Sequence, residues 1–167
     1  MHLEAPNPLD DLALHAAVHA LGYLYSWELP PMADRCLMRG FYTPALAELA
    51  EHTQAVMSEV GPLFERALRE AGQSLPTREA AAWLVVRHGA TVLINEPTAK
   101  PREWLRFLAY GVWRSTDGKT VDQGLDVDAL IGIWYCYDEI EGQGRDLDAE
   151  ARLEAWAWLM RHPAPGT

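Results

Sequence analysis

Asp11, His15 and His19 recur at i, i+4 and i+8 in a run that reads as helix, a spacing that stacks a carboxylate and two imidazoles on one face. Such a face can ligate a metal. It lacks the glutamate of an HExxH motif, however, and histidines beside an acid are commonplace on helix surfaces, so no metal is assigned. His88 shares a face with Ala81, Leu84 and Val85 and has no Ser, Cys or Asp at a telling distance. It reads as a core histidine with a hydrogen-bond partner rather than a catalytic one. Cys36 and Cys136 are isolated thiols with no CxxC spacing, which requires no disulfide and fits a cytoplasmic protein. Acidic residues cluster at Asp10–Asp11 and at Asp138, Glu139 and Glu141. Paired-carboxylate catalysis needs two acids facing one cleft, and adjacent acids on a helix point in different directions. The chain has no P-loop, GxGxxG, GxSxG or zinc-ligand set. No catalytic residue and no cofactor are assigned, and the protein is read as a non-enzyme.

The elements that position these residues read as helices throughout. The first is expected from about Pro8 to Ser26, capped by Asn7, with Leu14, Val18, Leu21 and Tyr25 as its stripe. Pro30 and Pro31 open a second helix that ends at Gly40. Thr43 and Pro44 then start a third, running to about Glu51. Thr53 is expected to cap a fourth, whose apolar positions are Val56, Val60, Leu63, Phe64, Ala67, Leu68 and Ala71, with Gly61-Pro62 predicting a kink or a fresh start. Thr77 caps a helix from Arg78 to about Asn95, apolar nearly all round and expected to be central and buried, although the β-branched run at its end also suits a strand. Pro101 begins a helix with Leu105, Leu108, Ala109 and Val112 facing inward and Trp104 and Trp113 extending that surface. Residues 115–124 read as a loop. Asp126 caps a segment to about Glu141. Its Ala129–Tyr137 core suits helix or alternating strand, and helix is favoured because no second strand is visible to pair with it. The last helix, Asp148 to Arg161, is expected to bury Ala149, Leu153, Trp156, Ala157 and Met160 before a loose tail at 162–167. The expected fold is therefore all-α: one compact domain over residues 1–167, with about seven helices in an irregular antiparallel array.

Charge narrows the partners. The net charge is -10, and residues 121–167 hold ten acids against three arginines, so most of the excess lies in the last quarter of the chain. An acidic surface repels nucleic acid and attracts basic partners, and no helix carries a positive stripe with interleaved aromatics. No apolar run approaches the roughly 18 residues of a membrane helix, and the first residues lack the basic-then-apolar pattern of a signal peptide. Neither nucleic acid nor membrane is expected as a partner, and the cytoplasm is the expected location. Trp134, Tyr135 and Tyr137 immediately precede Asp138, Glu139 and Glu141. Aromatics supply contact area and acids steer a basic partner. The competing reading makes the aromatics core and the acids a solvated rim.

The pattern A-x-x-x-L-x-x-G-x-x-(S/T)-P-x-L-x-x-L-A is met here by Ala33, Leu37, Gly40, Thr43, Pro44, Leu46, Leu49 and Ala50. It resembles small all-helical bacterial immunity-type proteins that accompany polymorphic or contact-dependent toxins. The resemblance covers about a third of the chain, including the helix with an acidic end at Ala129–Glu141; the tryptophan-rich C-terminus departs from it. It implies an all-helical fold and neutralisation of a cognate toxin; the acidic charge, apart from the resemblance, suits a basic toxin domain such as a nuclease. The expected partner-binding residues are Asp126, Asp128, Trp134, Tyr135, Tyr137, Asp138, Glu139 and Glu141. A small enzyme with an acid-lined cleft, and a helical protein that self-associates through its C-terminal helix, are the alternatives.

Overall fold

A computed structural model describes residues 3–112, 124–139 and 146–163, with the side chains of residues 138 and 139 excepted. The described residues form eight α-helices and no strand. They are α1 Pro8–Ala20, α2 Leu29–Met38, α3 Pro44–Ala50, α4 Met57–Glu70, α5 Arg78–Asn95, α6 Pro101–Phe107, α7 Asp128–Glu139 and α8 Leu147–Arg161. A 3-10 turn at Ser26–Glu28 precedes α2, and a π-helical stretch at Leu108–Val112 continues α6. The chain divides into two compact units, Leu3–Ala81 and, after it, Ala82–Thr167.

In the first unit α1 packs on α2, α2 on α3 and α3 on α4. Asn7 caps α1 through its side-chain oxygen, which accepts the Leu9 N–H at 2.9 Å. The helix ends at Ala20, earlier than its apolar spacing predicts, because Gly22 adopts φ +82° and Tyr23 donates back to the Val18 carbonyl. Tyr25 therefore leaves the stripe and stacks on Trp27 at 4.2 Å, both exposed. The α2–α3 corner forms as its residues dictate. Gly40 has φ +80°, Phe41 N–H returns to the Cys36 carbonyl, and Thr43 Oγ1 accepts the Leu46 N–H at 3.2 Å. Glu70 of α4 adds a second acceptor at this helix start, taking the Ala45 N–H at 2.9 Å. Helix α4 starts at Met57 without a side-chain cap, not at Thr53, and runs unbroken through Pro62. Ser58 and Pro62 are both exposed, so water can serve the carbonyl that the proline leaves without a donor. Leu12, Leu29, Met32, Leu46, Leu49 and Phe64 are the bulky members of this core.

In the second unit α6 packs on α7 and α8, and α7 on α8. Helix α5 begins in the first unit, where Thr77 caps it as expected by accepting the Ala80 N–H at 3.2 Å, and its chain continues into the second. Helix α5 is one-sided rather than buried all round: Ala82, Val85, Val86, Ala90 and Leu93 are buried, while Ala80, Thr91 and Ile94 are exposed. Gly89 lets the Trp104 indole lie against α5, since a Cβ there would stand 1.5 Å from Trp104 Nε1. Arg152 of α8 closes the end of α5, donating to the carbonyls of Leu93, Glu96, Pro97 and Ala99. Ala129–Tyr137 is helix. In α8, Asp146 caps by accepting the Ala149 N–H at 3.0 Å, and the fully buried Trp158 donates to the Leu125 carbonyl at 2.7 Å.

The face of α8 that turns inward corrects the expectation from spacing. Leu147, Ala151, Ala155 and Trp158 are buried, whereas Ala149, Leu153, Trp156 and Met160 are exposed and Ala157 is partly so. The small Ala151 and Ala155 side chains let neighbouring structure approach closely around one large indole.

Candidate protein-binding surface

Helix α7 positions most of the expected partner-binding residues. Its inner side is Leu130, Ile131 and Trp134, preceded by Val127, all buried. Trp134 thus belongs to the core, edge-to-face with Tyr110 at 6.1 Å. Its opposite side carries Asp128, Gly132 and Tyr135 at i, i+4 and i+7, all exposed, with Tyr135 keeping 52% of its surface in water. Tyr137 is half-buried. Its hydroxyl donates to Asp148 Oδ1 at 2.5 Å, and the Arg102 guanidinium lies 6.0 Å from its ring. Burial, and then the bond to Asp148, push the phenol above its ordinary pKa. Asp126, at φ 49°, turns its carboxylate to Arg161 Nε at 2.9 Å, and Arg161 also reaches Glu154 at 2.8 Å. The backbone of Asp138 and Glu139 ends α7; their side chains, and Glu141 entirely, lie outside the described residues. The structure therefore brings Asp128 and Tyr135 together on one open face, and directs Trp134, Tyr137 and Asp126 to partners within the chain.

Two further clusters bear on chemistry. Asp11 is fully buried and His15 nearly so. The Asp11 carboxylate accepts from Arg35 Nε at 3.0 Å and Nη2 at 3.3 Å, and Arg39 Nη1 lies 3.4 Å away. His15 Nδ1 stands 2.8 Å from the Asp11 carbonyl oxygen and 3.3 Å from Oδ1. His19 instead packs edge-on to Phe64 at 5.9 Å. The i, i+4, i+8 face is thus divided, and the acid is engaged by two guanidinium groups, which spacing within α1 could not reveal. The second cluster lines a cleft of about 290 Å³ between the end of α5 and the start of α6, where His88, Glu96, Lys100 and Glu103 surround an apolar floor of Val92, Leu93 and Trp104. Glu103 pairs there with Lys100 at 3.2 Å. Among the described residues no group of three His, Cys, Asp or Glu side chains is placed to hold a metal ion, and no helix is long and apolar enough to cross a membrane. Compared with known proteins, the chain matches no family model, no curated protein and no solved structure.

Proposed function

We propose that this chain is an immunity-type protein of the bacterial cytoplasm, which occupies a basic cognate toxin domain through the acidic, aromatic-containing surface of its C-terminal part. The observation that carries the reading is the open face of α7, where Asp128 and Tyr135 stand on one line of a helix whose other side is core. An exposed tyrosine supplies a rigid anchor, and acids around it accelerate encounter with a positively charged partner. The charge of residues 121–167 supports the same reading, as does the helix corner of the immunity-type pattern. In the sequence Asp138, Glu139 and Glu141 follow Tyr135 and add negative charge to this stretch, while Asp126 is paired with Arg161. The test is growth rescue. Cells expressing the product of the adjacent open reading frame should survive when this chain is co-expressed, and lose protection with Asp128→Lys plus Tyr135→Ala. Survival that does not depend on this chain would reject the role.

The cleft at His88, Glu96 and Glu103 favours a second reading, a small enzyme or small-molecule binder, because two carboxylates and an imidazole line one concavity. Under that reading Glu96→Gln with Glu103→Gln abolishes the thermal shift given by a small-molecule ligand; under the first it leaves toxin neutralisation intact.

A further inference from the structure

Helix α8 is apolar on two sides. One is core. The other presents Leu153, Trp156 and Met160, which keep 67%, 52% and 65% of their surface in water and stand at i, i+3 and i+7 on one line. Single exposed apolar residues need no explanation, but three large ones in register form a continuous strip about 10 Å long. This is the anchor spacing with which one helix lies along another. The charge around the strip decides what can cover it. Toward its N-terminal end stand the exposed Asp146 and the half-buried Glu150. Over residues 146–161 the acids Asp146, Asp148, Glu150 and Glu154 outnumber the arginines Arg152 and Arg161, and Arg161 is itself paired with Asp126 and Glu154. A second copy of the chain would bring another net charge of -10 against the first, whereas lysines and arginines flanking an apolar face would meet complementary charge.

We infer that the outer strip of α8 is a docking site for a basic amphipathic helix of another protein. The site lies on α8 rather than on α7 and holds whether or not that protein is a toxin.

The probe is a synthetic Leu/Lys peptide about four turns long, with leucines at helical i, i+3, i+4 and i+7 spacing. Its control has the same composition with the leucines spread round the helix. Titrated into the full chain at physiological salt, the patterned peptide should bind at least tenfold more tightly than the control. The triple variant Leu153→Ser, Trp156→Ser, Met160→Ser should lose that preference while keeping its helical circular dichroism and its melting temperature. Equal binding of the two peptides, or an undiminished preference in the variant, would overturn the inference. So would a dimer of the intact chain, seen by solution mass, that the triple variant dissolves, because a second copy would then own the strip.

Discussion

At Asp11 a buried charge is held by its neighbours rather than by water. Burial pushes its carboxyl pKa up, but hydrogen bonds from His15 and Arg35 outweigh this and hold it below the ordinary value. A depressed folded-state pKa contributes stability that is complete above the unfolded aspartate value of about 3.9 and drains away as pH falls below it. Denaturant midpoints should therefore drop steeply on acidification, and Asp11→Asn should flatten that drop. At neutral pH the same substitution should cost about 1–3 kcal/mol, because it removes charge-assisted hydrogen bonds from the half-buried Arg35 and the more exposed Arg39. An Asp11→Asn protein as stable as the parent at neutral pH would contradict this. Beside the network, the buried Cys36 thiol, which contacts Met32 Sδ at 3.7 Å, is pushed up to about 11 by burial and by the nearby Asp11. Cys36 should resist alkylation at neutral pH in the folded chain and react once denaturant is added, as mass spectrometry of the labelled peptide would show. Spacing alone brought Asp11, His15 and His19 to notice, yet it pointed to a shared face. The residues that settle Asp11, Arg35 and Arg39, lie 24 and 28 positions away and become neighbours only after α1 and α2 pack.

At the scale of elements, two glycines in helices make opposite predictions. Gly89 is where the Trp104 indole rests, so Gly89→Ala must displace a buried ring and should cost about 1–3 kcal/mol. Gly132 is exposed and nothing lies within 4 Å of a Cβ added there, so Gly132→Ala should stabilise α7 by about 0.5–1 kcal/mol. Chemical denaturation of the two variants would show midpoints moving in opposite directions; a shared direction would contradict this packing. Helix starts and stops are legible at Asn7, Gly40, Thr43–Pro44, Thr77 and Pro101, which stand where their chemistry places them, but not at Thr53 or Pro62, since α4 starts at Met57 and runs through the proline. Gly22 was a stop of the same kind, masked by apolar spacing that continues to Tyr25. The buried face of α8 is not legible in the sequence, for a deeper reason. Periodicity weighs bulk, so Leu153, Trp156 and Met160 outweighed Ala151 and Ala155, whereas close packing of helices rewards small residues. The open face of α7 was legible in part, since pattern alone could not tell that Tyr135 turns outward while Trp134 turns in.

For the whole molecule, charge is the property that reaches furthest. A net charge of -10, concentrated in residues 121–167, sets up a field that acts before any contact forms. Surface pairs such as Arg161–Asp126 contribute little to stability, on the order of 0–1 kcal/mol, and under the proposed function the acidic excess would serve encounter rather than folding. Rate, more than affinity, should carry its signature. The most direct test of the account is the association rate of this chain with the purified product of the adjacent open reading frame, followed by stopped-flow fluorescence across ionic strength. Asp128→Lys, Asp138→Lys and Glu139→Lys together should slow association about tenfold at low salt and flatten its salt dependence, with the melting temperature unchanged. An association rate that these three reversals and added salt both leave untouched would contradict the claim that an acidic C-terminal surface captures a basic protein.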